Sequence, residues 1–265
     1  MDNRPIGVFD SGLGGLTVVK AMKKLLPNES ILYFGDTARL PYGVKSKKLI
    51  IEYSNQIAKF LIEKNAKMII VACNTATAMA LEKLKFNFKD TPIIGVIEPG
   101  SIQASLDSIN KKIGVIGTAA TIKSGAYEHA LKAIDNDINV FSKDCPLFVP
   151  FVEEGMVKGE AINLIVEHYL SSFKNNIDTM ILGCTHYPLL EPVIKKYVKG
   201  IKLVDSASAV ARHVDKTLKD YKINNVNEKR GSLDCFVTDL PRQFEKLGRI
   251  FLGESINEPQ LVDGF

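Results

Sequence analysis

Four cysteines stand at positions 73, 145, 184 and 235, and no two of them form a CxxC pair. Two share a setting. Cys73 follows Met68-Ile69-Ile70-Val71-Ala72 and precedes Asn74-Thr75-Ala76-Thr77. Cys184 follows Thr179-Met180-Ile181-Leu182-Gly183 and precedes Thr185-His186-Tyr187-Pro188. A thiol does chemistry when it is held as thiolate or when a neighbouring base takes its proton. A strand that ends where a helix begins offers free backbone N–H groups and the positive end of a dipole. The small, cap-forming residues after Cys73 fit such a helix start. So do Thr185 as a cap and Pro188 in a first helical turn. Two thiols so placed could move protons as a pair. Joined by His186 and Asp10 they could hold zinc, although the spacing matches no zinc motif. A redox dithiol is the third use. A single free cysteine is usually a small core residue, and Cys145 and Cys235 read that way, each within an apolar run.

Other groups gather around the pair. Asp10 ends the run Ile6-Gly7-Val8-Phe9 and opens Ser11-Gly12-Leu13-Gly14-Gly15, whose glycines allow tight turning and close approach of a ligand. That run is neither GxGxxG nor a P-loop. An Asp there is as often a cap as a catalyst. Of the four histidines only His186 stands beside a candidate nucleophile; His129, His168 and His213 fall in helical stretches. The turn-rich Gly35-Asp36-Thr37-Ala38-Arg39-Leu40-Pro41-Tyr42-Gly43 reads as a substrate-contacting loop or as a plain connector with a packed Tyr42. Glu153-Glu154 reads as a solvated acidic pair, and Gly117-Thr118 as a strand end that could meet an anion.

The elements that must position these residues follow from hydrophobic patterning. Continuous apolar runs at 6–9, 31–34, 68–72, 93–96, 113–116, 140–142, 179–182 and 202–204 predict buried strands, and stretches such as 49–64, 159–173 and 189–198 predict helices. The alternation predicts an α/β fold with mostly parallel sheets covered on both faces, where ligands gather at the carboxyl ends of strands. Part of the chain repeats. Ile6-Gly7-Val8-Phe9-Asp10-Ser11 matches Ile113-Gly114-Val115-Ile116-Gly117-Thr118, and the Cys73 segment matches the Cys184 segment. The two matches have nearly equal offsets, so two similar α/β domains related by pseudo-symmetry are expected. The first is expected over 1–97 with 207–255, the second over 98–206, and residues 256–265 are expected to form a loose tail. The stretch 221–230 reads as a surface loop.

Composition narrows the function classes. The formal net charge is only +4 and lysines are scattered, so no nucleic-acid partner is expected. No apolar run is long enough to span a bilayer and no signal peptide is evident, which predicts no membrane association and a cytoplasmic location with free thiols.

Several long segments, in order, resemble the glutamate racemases of the aspartate/glutamate racemase superfamily. They are Asp10-Ser11-Gly12-Leu13-Gly14-Gly15-Leu16-Thr17-Val18, the run from Gly35 to Gly43, Ala72-Cys73-Asn74-Thr75-Ala76-Thr77-Ala78, Gly95-Val96-Ile97-Glu98-Pro99-Gly100, the run from Cys145 to Gly155, and Leu182-Gly183-Cys184-Thr185-His186-Tyr187-Pro188-Leu189. The resemblance implies two α/β domains with the active site in the cleft between them. It implies cofactor-independent interconversion of L- and D-glutamate for peptidoglycan, with no metal and no pyridoxal phosphate, in a homodimer. Carried over by position, Cys73 and Cys184 are the two bases, assisted by Asp10 and His186 respectively. Asp10, Ser11, Tyr42, Gly43, Asn74, Thr75, Thr185 and His186 are implied substrate contacts. A racemase for aspartate is the nearest alternative; the resemblance at His186 favours glutamate. Outside the enzymes, a two-domain protein that binds a small anion is the alternative, and it would not need paired thiols.

Overall fold

The computed structural model describes residues 2–173, 176–227, 229–239 and 244–265. The chain divides into two compact units, residues 1–96 with 207–265 and residues 97–206.

The first unit begins with β1 (Ile6–Asp10), α1 (Leu16–Leu25), β2 (Ile31–Gly35), α2 (Lys47–Glu63), β3 (Met68–Val71), α3 (Asn74–Asn87) and β4 (Ile93–Gly95). The second carries α4 (Ile97–Asp107), β5 (Lys112–Gly117), α5 (Ala119–Lys123), α6 (Ala126–Ile134), β6 (Asn139–Asp144), α7 (Phe148–Glu153), α8 (Glu160–Leu170), β7 (Thr179–Gly183), α9 (Glu191–Tyr197) and β8 (Lys202–Asp205). The chain then returns to the first unit with α10 (Ser206–Asp220), β9 (Leu233–Val237), α11 (Phe244–Leu252) and β10 (Gln260–Leu261).

Among the described residues every strand pair is parallel, in a six-stranded sheet ordered β10-β9-β2-β1-β3-β4 and a four-stranded sheet ordered β6-β5-β7-β8. All residues of β1, β2, β3 and β7 are buried, as apolar strands covered on both faces must be. The repeat read from the sequence has a structural counterpart. The order β2-β1-β3-β4 matches β6-β5-β7-β8, and the registers agree, with Ile6 opposite Met68 and Ile113 opposite Thr179.

In each sheet the chain runs from the inner strand to one neighbour and then crosses to the other side. β1 lies between β2 and β3, and β5 between β6 and β7. Such a reversal leaves a crevice at the carboxyl ends of the strands. Asp10 ends β1 and Cys73 follows β3; Gly117 ends β5 and Cys184 follows β7. Both cysteines therefore stand at the reversal point of their own sheet.

Two elements differ from the sequence reading. Leu233–Val237 is a strand, paired along its length with β2. The expected loose tail instead adds β10 to the sheet edge, and the Phe265 ring packs 4.9 Å from Phe34 and 5.7 Å from Phe60. In the stretch 221–230, Glu228 lies outside the described residues; the other residues form no strand or helix. Among the described residues no helix is long and apolar enough to cross a membrane.

Candidate active site

The first half-site is built at the ends of β1 and β3. Asp10 is fully buried and its carboxylate accepts from the Gly12 amide at 3.1 Å. The Tyr33 hydroxyl donates to the Gly12 carbonyl at 2.7 Å, fixing the turn from below. Burial drives the Tyr33 phenol well above its usual pKa, and negative charge at Asp10 adds to this. Gly15 is required here: a Cβ would lie 2.6 Å from the Asp10 Cβ and 3.1 Å from the Tyr33 hydroxyl.

Cys73 is the N-cap of the 14-residue α3, and its sulfur accepts from the Ala76 amide at 3.4 Å. A helix start favours negative charge on that atom. Its Sγ also lies 3.9 Å from the Ser11 hydroxyl, to which the thiol donates. Asn74 and Thr75 form the first turn of α3 and are buried. Asp10, Ser11, Cys73, Asn74 and Thr75 thus belong to one cluster of loop ends.

The loop that carries Tyr42 and Gly43 is organised by a residue the sequence reading did not single out. Asp36 is buried and accepts from Arg39 Nε at 2.8 and 2.9 Å, from Thr238 Oγ1 at 3.0 Å and from the Tyr42 hydroxyl. The Tyr42 ring is buried in the core cluster that also holds Cys73. Burial pushes its phenol far up, and Asp36 pushes it further. Gly43 is half-buried beside it.

The second half-site lies within the second unit. Cys184 follows β7 and is 7% exposed, close to the 6% of Cys73. Gly183 is forced by packing, since a Cβ there would meet the Ile116 carbonyl oxygen at 2.6 Å. No α-helix starts directly at Cys184, as one does at Cys73. Residues Tyr187–Leu190 form a short 3-10 turn with Pro188 in its first positions and no side-chain cap. What Cys184 has instead is an imidazole, with His186 Nδ1 3.9 Å from its sulfur. Thr185 Oγ1 lies 3.3 Å from the same ring nitrogen. His186 Nε2 in turn lies 3.3 Å from Glu153 Oε1. Glu153 is thus not merely solvated; its carboxylate stands beside the imidazole that lies near the Cys184 sulfur, while Glu154 is exposed. The turn is anchored from below, where the Tyr187 hydroxyl donates to the Cys145 carbonyl at 2.9 Å and its ring meets Phe148 edge-on.

The other candidates separate cleanly. All four cysteines are free and buried. Burial pushes the Cys145 thiol far up and the Cys235 thiol up to about 12, so both behave as core residues. His129 and His168 are exposed on helices and His213 is half-buried. Thr118 caps the five-residue α5 by accepting from Thr121, which is a local role. Among the described residues no group of three or more His, Cys, Asp or Glu is arranged to hold a metal ion.

This geometry can move protons at two places in one chain, each a thiol with its own polar helper at the mouth of a parallel sheet. The comparisons agree with that class of chemistry. The family model for Asp/Glu/Hydantoin racemase matches residues 6–214. The chain belongs to the Asp/Glu/Hydantoin racemase family. It is 51% identical to a glutamate racemase of Aquifex aeolicus over 97% of both chains. Among solved structures it resembles the glutamate racemase of Francisella tularensis, crystallised in complex with D-glutamate. The TM-score there is 0.94, with 41% identity over 99% of this chain and 98% of that one. The glutamate racemase of Aquifex pyrophilus is 48% identical over 98% of this chain and 99% of that one, with a TM-score of 0.82.

Proposed function

We propose that this chain interconverts L- and D-glutamate without a cofactor, with Cys73 and Cys184 as the two bases, and so supplies D-glutamate for peptidoglycan. The observation that carries the reading is the equivalence of the two cysteines. They occupy the same place in two copies of one sheet, in a chain 51% identical to a glutamate racemase.

Inverting a stereocentre requires that one face lose a proton and the other gain one. Two bases do this without turning the substrate over. A thiol has a reference pKa of about 8.5, nearer neutrality than a carboxylate or an ammonium, so both of its protonation states are reachable. In one direction Cys73 begins as thiolate and takes the α-proton while Cys184 delivers one; in the other the roles exchange. Asp10 serves the Cys73 side and His186 the Cys184 side. The α-proton of a free amino acid is weakly acidic, so negative charge that develops toward the α-carboxylate must be met by donors. The backbone N–H groups at the start of α3, with Asn74, Thr75 and Thr185, supply them. Ser11, Tyr42 and Gly43 complete the substrate contacts. By the same resemblance the chain works as a homodimer in the cytoplasm, which light scattering of the purified protein tests for the dimer.

The test is optical. Purified, chelator-treated protein is given L-glutamate, D-glutamate and L-aspartate in turn, and circular dichroism is followed. Loss of the glutamate signal from both enantiomers is the expected result. Inversion of aspartate alone would move the assignment to an aspartate racemase. Silence on all three would point to a protein that binds a small anion.

A further inference from the structure

The first sheet carries two strands that the second lacks. β9 and β10 lie outside β2, whereas the corresponding β6 is the edge of its sheet and largely exposed or half-buried. The added strands lie beside the loop over 35–43. We infer that this returning C-terminal segment, through Thr238 and Phe265, positions the 35–43 loop and thereby sets how tightly the first half-site holds substrate. The kinetic side of this inference rests on the glutamate racemase reading.

Two sets of contacts make the link. Directly after β9, Thr238 Oγ1 donates to Asp36 Oδ1 at 3.0 Å and accepts from the Ala38 amide at 2.9 Å. The Asp239 amide donates to Thr37 Oγ1 at 2.9 Å, and the Thr37 hydroxyl donates to the Asp239 carbonyl. Three consecutive loop residues are thus tied to two consecutive residues of the returning segment. Beyond β10, the Val262 amide donates to the Val237 carbonyl at 2.9 Å. This brings Phe265 onto Phe34 and Phe60, with the Arg39 guanidinium carbon 5.6 Å from its ring and 4.0 Å from the Tyr53 ring.

Arg39 is the joint between the tail and the site. Its Nε side grips Asp36 and its Nη1 donates to Gln56 at 2.6 Å. Its Nη2 is buried without a hydrogen-bond partner among the described residues. Aromatic faces are therefore what hold the far side of the guanidinium. Asp36 is also the acceptor for the Tyr42 hydroxyl. The series Phe265–Arg39–Asp36–Tyr42 runs from the tail to the residues proposed to contact substrate. None of these hydrogen bonds is made by Cys73, so loosening them should shift the population of binding-competent loop with little effect on proton transfer. Apparent affinity falls by the fraction of competent loop that is lost.

The experiment compares the full-length protein with Thr238→Val, Phe265→Ala and the conservative Phe265→Tyr. Amide hydrogen exchange is read on the substrate-free proteins, and kcat and KM on glutamate. The inference expects Thr238→Val and Phe265→Ala to speed exchange in residues 36–43 while leaving α3 unchanged. It expects KM to rise about tenfold with kcat within about twofold, and Phe265→Tyr to restore both. Unchanged loop exchange would overturn it. So would a uniform rise in exchange across the first sheet, or a fall in kcat at constant KM, which would make these residues ordinary core. The exchange measurement needs no turnover, so if the unmodified protein fails to racemise glutamate, the loop result still decides the positioning claim separately.

Discussion

The two half-sites share a frame and differ in chemistry. Register places Asp10 opposite the role of Gly117, Lys67 opposite that of Asp178, and Thr75 opposite that of His186. In the first unit the neighbouring strand end carries a carboxylate, Asp10, and the sulfur rests on the start of a 14-residue helix. In the second the neighbouring strand end is glycine, a 3-10 turn leading into α9 follows in place of an α-helix start, and a histidine stands two residues beyond the thiol with its Nδ1 3.9 Å from the sulfur. The repeated part is what packing demands: an apolar strand, a small residue before or beside the turn, and a cysteine at the sheet's reversal point. The parts that diverged are the polar groups around each thiol. On the proposed reading, two thiols that alternate as acid and base are not stabilised by the same means.

The sharpest way to break the comparison is to remove one thiol at a time. Cys73→Ser and Cys184→Ser should each lower racemisation by at least about a thousandfold, followed by circular dichroism at saturating substrate. If one variant alone stayed active, the two half-sites would not be functionally paired.

A second contrast lies at the opposite end of the sheets. Lys67 Nζ is buried against Glu29 at 2.6 Å and donates to the Asp2 carbonyl, while Glu29 Oε1 accepts from the Asn225 amide. The pair clamps the N-terminus and the returning segment together. Lys67→Met leaves a buried carboxylate uncompensated and should destabilise by about 3–5 kcal/mol in urea unfolding. Pairing it with Glu29→Gln should recover a substantial part of this. Equal losses in single and double variants would mean the ion pair is not the clamp.

Asp10→Asn and His186→Asn should each cost about a hundredfold in kcat/KM, less than loss of a thiol because the base itself remains. The equilibrium constant of a racemisation is one, so kcat/KM must fall equally in both directions; the comparison predicts instead that kcat and KM taken separately change unequally for L- and D-glutamate, since each side chain is proposed to serve one face. Identical changes in kcat and in KM from L- and D-glutamate for both variants would erase the distinction between the half-sites.

The mildest effect is at Asp178, the counterpart of Lys67. Burial raises its carboxyl, but donation from Ser108 and the Asn110 and Ile109 amides outweighs this and leaves it below the usual carboxylate range. A depressed carboxyl contributes stability above its unfolded pKa of about 3.9. That contribution is lost as pH falls through the folded value. Asp178→Asn should therefore remove about 2 kcal/mol near neutrality and flatten the acid side of the stability curve, measured by thermal melts between pH 3 and 7. An unchanged acid limb would contradict the assignment.

Much of the frame was legible in the chain because buried parallel strands leave continuous apolar runs, and all eight such runs are strands. The two strands not anticipated left weaker marks. Leu233–Val237 is interrupted by Asp234, and Gln260–Leu261 is too short to show a period. The site was legible where groups are neighbours in sequence, as Cys184 and His186 are. Contacts made across the fold were not: Glu153 reaches His186 from α7, and Thr238 reaches Asp36 from the far end of the chain. Pro188 suggested a helix start after Cys184, but a proline in a first turn fits a 3-10 turn equally well.

The central claim is that one chain uses two bases on one carbon, and isotope transfer tests it most directly. L-glutamate is incubated with the protein in heavy water, the reaction is stopped early, and both enantiomers are separated and read by NMR. The account predicts deuterium at the α-carbon of the D-glutamate formed and protium retained in the L-glutamate that remains. Deuterium appearing equally in both from the first turnovers would mean that a single group exchanges the proton on one face, and would contradict it.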